Sequence, residues 1–105
     1  MRKLLYLIRH GTALQNYNYL KYGAKTFYDP NFKDTRLTSV GHEQSNILNK
    51  NWKQIYDIEL VLVSPLYRTL QTATNIFKGV DVPIICLEDL REYPYNVQTC
   101  NYISN

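Results

Sequence analysis

The sequence has no apolar segment long enough for a membrane helix or a secretory leader. The apolar run nearest the amino terminus covers residues 4–8. It is shorter than the roughly 7–15 residues of a signal peptide and the roughly 18 of a membrane span. Arg9 and His10 follow the run and interrupt it. We therefore predict no membrane partner and a cytoplasmic location.

Cysteine is scarce, and the two cysteines form no recognisable motif. Cys86 and Cys100 stand far apart in the chain, without a CxxC pair or the spacing of zinc ligands. They indicate reduced thiols in a cytosolic protein rather than a disulfide framework. We expect no metal ion and no other cofactor.

Charge of neither sign is concentrated in one part of the chain. Twelve basic residues against nine acidic ones give a net charge of +3, which suits anionic small molecules but also simply keeps a surface soluble. Basic and aromatic residues are interleaved in residues 17–32, as in some proteins that bind single-stranded nucleic acid. No nucleic-acid module is recognisable, however, and a lid or a loop core is the better interpretation. We expect no nucleic-acid partner.

The length allows one domain at most. A chain of 105 residues buries roughly 65 % of the surface that its unfolded form exposes, which is enough for a modest core. Its apolar fraction of 45 % and charged fraction of 20 % are ordinary for a globular protein. No repeat or flexible linker divides the sequence, so we predict a single domain over residues 1–105.

Strand and helix patterns alternate along the chain. Short apolar runs typical of buried strands occur at residues 4–8, 59–63 and 82–87. Apolar residues spaced close to 3.6 predict two helices, one capped by Thr38 and one that opens at Ser64-Pro65 and stops at Gly79. A long connection rich in tyrosine and asparagine covers residues 10–36. This order predicts an α/β fold, a parallel sheet with helices packed on it.

Charged or titratable side chains follow each predicted strand. Arg9 and His10 come directly after the first strand, and Arg68 lies in the first turn of the helix after the second. Glu92 comes a few residues after the third strand. The carboxyl ends of parallel strands meet at one edge of a sheet, where open α/β proteins bind their ligands. The sequence therefore predicts a site that combines these side chains.

These residue types suit the chemistry of a phosphoryl group. Arginine forks bind phosphate oxygens in bidentate fashion, and the amino terminus of the helix after the second strand adds amide donors. A neutral imidazole can act as a nucleophile, and a carboxylic acid can protonate the leaving oxygen. Each residue also has an ordinary interpretation: Arg68 as a solvated helix residue, and Glu92 as one member of an acidic turn with Glu88 and Asp89.

Four ordered blocks of sequence contain these residues and nearly span the chain. The blocks are Leu7-Ile8-Arg9-His10-Gly11-Thr12 with Asn16, Leu37-Thr38-Ser39-Val40-Gly41-His42-Glu43-Gln44, Val63-Ser64-Pro65-Leu66-Tyr67-Arg68-Thr69-Leu70-Gln71-Thr72-Ala73, and Leu87-Glu88-Asp89-Leu90-Arg91-Glu92. An Arg-His-Gly match alone would be weak, but the four blocks in this order are specific. With them the chain resembles the histidine phosphatase superfamily, the family of cofactor-dependent phosphoglycerate mutases and their phosphatase relatives. The resemblance implies a phosphoglycerate mutase-like fold, an α/β three-layer sandwich with a mostly parallel sheet, incomplete here at the carboxyl terminus.

The resemblance implies a role for each residue of the predicted site. It makes His10 the nucleophile that becomes phosphohistidine. It makes Arg9 and Arg68 the residues that hold the phosphoryl oxygens, with Asn16 in the same pocket. Glu92 matches the proton donor of the family, although the position of this acid varies among branches, and the neighbouring acidic residues stay open as alternatives.

The resemblance also implies parts that this sequence does not contain. In the family a second histidine, from a strand in the carboxyl-terminal half, completes the phosphate pocket. Here the histidines are His10 and His42, and His42 falls where the family pattern is variable. The same half supplies a strand between the first two strands of this chain, whose edges would otherwise be unpaired. We therefore interpret the chain as a carboxyl-terminally truncated member and a partial domain, which is completed by a homodimer or by a separately encoded second half.

Three hypotheses about function follow. The first is a phosphomonoester phosphatase that acts on a phosphorylated small molecule through a phosphohistidine on His10, weakly because the second pocket histidine is absent. A mutase would return the phosphoryl group to a different oxygen, and the sequence does not separate the two. The second is a non-catalytic relative that binds anions or assembles with a partner. The third is a nonfunctional fragment.

Overall fold

Helices account for most of the regular structure in the described part of this chain. The computed structural model describes residues 3–23, 25 and 34–91. In this part of the chain the helices are α1 (Leu14–Tyr22), α2 (Ser39–Asn51) and α3 (Tyr67–Ile76), with short 3₁₀ turns at Lys53–Asp57 and Glu88–Leu90. Two strands, β1 (Val61–Val63) and β2 (Ile84–Cys86), pair in parallel with Val61 opposite Ile84. None of the helices in the described ranges is long and apolar enough to cross a membrane.

The apolar core lies where the end of α3 meets the turn after α2. Ile55, Ile76 and Phe77 are buried together. Partly buried apolar side chains pack around them: Leu48, Trp52, Ile58, Val61, Val80 and Val82. Because β1 joins this cluster through Val61, the core ties the parallel strand pair to the two longer helices.

Polar side chains define the ends of α2 and α3. As predicted, Thr38 caps α2, its hydroxyl accepting a hydrogen bond from the Gly41 amide at 3.2 Å. Asn49 of α2 donates from Nδ2 to the carbonyl oxygens of Ile76 at 2.6 Å and Lys78 at 3.1 Å. Carbonyl oxygens at the end of a helix have no partner within the helix. Asn49 therefore caps the end of α3 and also joins α3 to α2.

The start of α3 differs from the prediction. The helix begins at Tyr67 rather than at Ser64-Pro65. The Tyr67 amide donates to the carboxylate of Asp34 at 2.8 Å, whereas Ser64 lies before the helix. A carboxylate from a distant part of the chain therefore provides the cap that the prediction assigned to serine, and it occupies an amide that the prediction left for a phosphoryl group.

The amino-terminal segment also departs from the prediction. Residues 4–8 carry exposed or nearly exposed apolar side chains and belong to no paired strand in the described part of the chain. The predicted strand is therefore wrong as a hydrogen-bonded element, because no described strand lies beside it to form a ladder. The connection after it contains α1, which the tyrosine-rich and asparagine-rich sequence did not indicate. The other two strands are shorter than predicted but correctly placed.

Candidate active site

A cleft of about 880 Å³ opens at the end of the amino-terminal segment. Arg9, His10 and Asn16, all residues of the predicted site, line this cleft. The remaining wall comes mainly from α1, α2 and the approach to α3, with Thr12, Gln15, Tyr19, Leu20, Gln44, Ser64 and Thr69 among the lining residues. The cleft thus brings together the residues that follow the first predicted strand with polar groups from several elements.

The imidazole of His10 is oriented by the backbone that follows it. Its Nδ1 atom lies 2.6 Å from the carbonyl oxygen of Gly11, and the side chain is half-buried. A carbonyl oxygen can only accept a hydrogen bond, so Nδ1 must carry the proton. In a neutral imidazole with this tautomer, the lone pair for nucleophilic attack lies on Nε2.

A close crossing of two glycines holds the loop after His10 against α2. A Cβ atom on Gly11 would lie 2.6 Å from the carbonyl oxygen of Gly41. A Cβ atom on Gly41 would overlap the carbonyl oxygen of Thr12. Both contacts are with backbone atoms, which cannot rotate away as a side chain can. Glycine is therefore required at both positions for close approach.

Hydrogen bonds to Thr12 reinforce this crossing. The Oε1 atom of Gln44 accepts from the Thr12 amide at 2.9 Å and from its hydroxyl at 3.2 Å. The Thr12 carbonyl accepts from the amide of Thr38 at 2.9 Å and from its hydroxyl at 3.0 Å. Gln44 also lines the cleft. Sequence reasoning quoted Gln44 within a family block but gave it no role, since a glutamine on a helix carries no signal of its own.

Asn16 lines the cleft and also forms a hydrogen bond at the start of α1. Its Oδ1 atom accepts from the amide of Ala13 at 3.0 Å, which satisfies a donor at the start of α1. The amide group of Asn16 therefore presents its Nδ2 donors to other partners. The helix start, which was not predicted, is what places this residue in the cleft wall.

Two residues of the predicted site, Arg68 and Glu92, are not among the described residues that line the cleft. Arg68 lies in the first turn of α3 with its side chain fully buried, at 0 % exposure. Its neighbour Thr69 lines the cleft, but Arg68 itself does not. The interpretation of Arg68 as a solvated helix residue is therefore wrong. Glu92 lies outside the described residues, while the alternative acids Glu88 and Asp89 are exposed on the 3₁₀ turn.

The sequence of this chain matches a known protein family. Residues 5–99 match the model of the histidine phosphatase superfamily (branch 1). The chain belongs to this superfamily. A curated relative, phosphoglycerate mutase-like protein 1 of Arabidopsis thaliana, is 38 % identical over 80 residues, which make up 73 % of this chain and 28 % of that protein. The chain thus spans just over a quarter of the relative's length and is short relative to its homologues.

Two solved structures share the fold of this chain. A candidate α-ribazole-5′-P phosphatase from Escherichia coli superposes with a TM-score of 0.64 at 24 % identity, over 87 % of this chain and 42 % of that one. Phosphoserine phosphatase from Entamoeba histolytica, solved with 3-phosphoglyceric acid, gives a TM-score of 0.60 at 24 % identity, over 88 % and 41 %. These likenesses confirm the predicted α/β fold with its parallel sheet, of which this chain covers part.

Proposed function

We propose that this chain is a phosphomonoester phosphatase that acts through a phosphohistidine intermediate on His10. Nε2 of His10 attacks phosphorus, the bond from phosphorus to the leaving oxygen breaks, and Glu92 gives that oxygen its proton. Water then attacks the phosphohistidine and gives a proton back to the Glu92 carboxylate, the bond from phosphorus to Nε2 breaks, and inorganic phosphate leaves with the imidazole regenerated. The observation that carries this proposal is the bond from His10 Nδ1 to the Gly11 carbonyl, because it leaves the lone pair on the other ring nitrogen.

Positive charge and amide donors around His10 support the same chemistry. Arg9 and Asn16 both line the cleft beside His10. The bond of Asn16 to Ala13 uses its Oδ1 atom and not its Nδ2 donors. In the proposed reaction Arg9 and Asn16 bind the oxygens of the phosphoryl group, whose negative charge arginine recognises in bidentate fashion. Arg68 is buried and does not line the cleft, so its contact with the phosphoryl group stays a prediction.

Hydrolysis is favoured over phosphoryl transfer between oxygens of one substrate. The two similar solved structures are described as phosphatases, although the curated relative is named as mutase-like. We expect the activity to be low, since His42 is not the counterpart of the family's second pocket histidine. It falls at a variable position of the family pattern and is bonded to Asn75 at 2.8 Å. We propose a cytoplasmic location, which the free thiol of Cys86 supports, since a reducing compartment keeps thiols free.

Covalent labelling tests the proposal directly. Incubation with a ³²P-labelled phosphomonoester should leave label on the chain that is labile in acid and stable in base. The label should disappear in His10→Ala and persist in His42→Ala, which removes the other histidine. Label in His10→Ala, or none in the wild-type chain at millimolar substrate, would rule the mechanism out.

Arginine substitution tests the phosphate ligands. Arg9→Met should lower the rate of labelling by roughly 10²–10³-fold, the usual effect of losing one donor to a developing oxyanion. Arg9 is exposed, so the fold should be unaffected. Arg36→Met, which removes an exposed arginine outside the cleft, is the matched control and should change the rate less than about twofold.

A non-catalytic protein that assembles with a second copy of itself is the other candidate function. The apolar side chains of residues 4–8 favour it, because Leu4, Leu5 and Leu7 are 74 %, 84 % and 88 % exposed. Exposed apolar strands that lack a neighbour promote association between chains. Sedimentation equilibrium should then give the mass of a dimer. A monomer at all concentrations would exclude this candidate, and a mass above a dimer would indicate nonspecific aggregation.

A further inference from the structure

One buried hydroxyl connects the loop that contains His10 to the helix turn that contains Arg68. The side chain of Thr72, 6 % exposed, accepts a hydrogen bond from the Gly11 amide at 3.0 Å. The same hydroxyl donates to the carbonyl oxygen of Arg68 at 2.6 Å. A hydroxyl has one proton to donate and lone pairs to accept with, so both bonds form together. Thr72 thus joins the backbones of two segments that are remote in sequence.

The position of Gly11 determines the orientation of the His10 imidazole. Gly11 is buried, its carbonyl accepts from His10 Nδ1, and its amide donates to Thr72. The close packing of Gly11 against Gly41 prevents Gly11 from moving toward α2. Packing alone does not fix how the Gly11 peptide groups are oriented. The bond to Thr72 provides the direction, since a hydrogen bond weakens steeply when its angle departs from linearity.

We infer that Thr72 is a positioning residue for His10. It holds the backbone of Gly11 in register with α3, and through the Gly11 carbonyl it maintains the proton on Nδ1 and the lone pair on Nε2. This inference rests on the proposed function only for its kinetic consequence. The effect on the tautomer of His10 is a property of the resting protein.

Another threonine on the same helix provides a matched control. Thr74 donates from its hydroxyl to the carbonyl oxygen of Leu70 at 2.8 Å, the same bond to the residue four positions earlier that Thr72 makes. Thr74 is exposed, and Gly11 bonds to Thr72 instead. Thr72→Val and Thr74→Val therefore both remove a bond within α3, but only Thr72→Val removes the bond to the loop.

The tautomer of His10, read from its ¹⁵N chemical shifts, tests the inference independently of catalysis. In the wild-type chain and in Thr74→Val, His10 should be protonated mainly on Nδ1 when neutral. Thr72→Val should shift the population toward Nε2 protonation and speed hydrogen exchange of the Gly11 amide by at least about 10-fold, while Thr72→Ser should restore both. Equal tautomer populations in Thr72→Val and wild type would overturn the inference.

Kinetics then distinguish failure of the inference from failure of the proposed function. Thr72→Val should lower the rate of labelling by roughly 10²-fold, as a misplaced nucleophile does, and leave KM within about threefold, because Arg9 and Asn16 are untouched. Thr72→Ser should recover the rate to within about threefold.

If the wild-type chain does not label but the tautomer still depends on Thr72, the proposed function fails and the positioning role stands. If Thr72→Val does not fold, a Gly11 amide that exchanges in the wild type as fast as an exposed loop would refute the role.

Discussion

Two stretches of the amino-terminal segment differ in how the rest of the molecule holds them. The side chains of residues 4–8 are largely exposed, with Leu7 at 88 %. Residues 11–13 are half-buried or buried and bonded to both α2 and α3. His10 lies between the two stretches. The proposed nucleophile therefore stands at the boundary between an exposed segment and a loop that two helices hold.

The difference shows that helices rather than a sheet position the candidate nucleophile. A parallel strand is normally held by evenly spaced hydrogen bonds to its neighbours, and in the described part of the chain no such ladder reaches residues 4–8. The loop is instead held by the crossing of Gly11 with Gly41 and by hydroxyl and amide side chains of the helices. A site of this kind can keep its local geometry even where its sheet is incomplete.

Gly41→Ala should produce the largest loss of stability, because it disrupts the supported stretch directly. The added methyl group would overlap the backbone of Thr12, so the loop must move away from α2. We expect the free energy of unfolding to fall by about 3 kcal/mol, the upper end for an overpacked site. Urea denaturation followed by circular dichroism measures the change.

The control for this substitution is an exposed position of the same helix. Val40→Ala adds no contact, because Val40 is half exposed, and should change the free energy of unfolding by less than about 0.5 kcal/mol. Equal stability of Gly41→Ala and the wild-type chain would mean that the loop does not cross α2 in solution.

Asn49→Ala should have the next largest effect, since it breaks the link between α2 and α3 without touching the loop. Two carbonyl oxygens at the end of α3 lose their donor, at a cost of about 1–2 kcal/mol. Asn46→Ala removes an exposed asparagine of the same helix and is the matched control. If the two variants unfolded at the same urea concentration, the bonds from Asn49 would contribute nothing to stability.

The fold was predictable from sequence to the extent that local patterns determine it. The parallel strands and the cap of Thr38 follow from apolar runs and from a hydroxyl before a periodic segment, both of which are local. The start of α3 was not predictable, because Asp34, which lies far away in sequence, caps it. Residues 4–8 were predicted as a strand from their composition, but pairing depends on a neighbour that composition does not reveal.

The residues that line the cleft could be predicted only in part, and their supports could not be predicted. The position of Arg9 and His10 after an apolar run indicated a ligand-binding edge, and both line the cleft. The roles of Gly41 and Thr72 depend on contacts between segments far apart in the chain. A glycine or a threonine within a helix carries no local sign of such a contact, so only the structure shows it.

Tyr6→Leu should have a smaller effect, because it removes the ring contact that joins the unsupported stretch to the core. The rings of Tyr6 and Trp52 meet edge to face with centroids 5.2 Å apart, a pair worth about 0.5–1.5 kcal/mol beyond its buried area. The chain has one tryptophan, so tryptophan fluorescence reports the surroundings of Trp52, which also include Phe77 at 6.1 Å between ring centroids. Loss of the Tyr6 ring should shift the emission to longer wavelength. Tyr56→Leu, at a residue 78 % exposed, should leave the spectrum unchanged. A spectrum of Tyr6→Leu identical to that of the wild type would show that the two rings do not meet in solution.

The double substitution Leu5→Ser with Leu7→Ser should have the smallest effect on the monomer and a clear effect on association. Both side chains are more than four-fifths exposed, so at concentrations where the chain is monomeric the free energy of unfolding should change by less than about 0.5 kcal/mol. If residues 4–8 mediate dimer formation, sedimentation should show the variant remaining a monomer where the wild-type chain pairs. Leu20→Ser, at an equally exposed leucine of α1, should dimerise as the wild type does. If the free energy of unfolding of the monomer fell by more than about 2 kcal/mol, the loss would be that of emptying a packed core site. Residues 4–8 would then be buried in solution, and the contrast between the two stretches would be wrong.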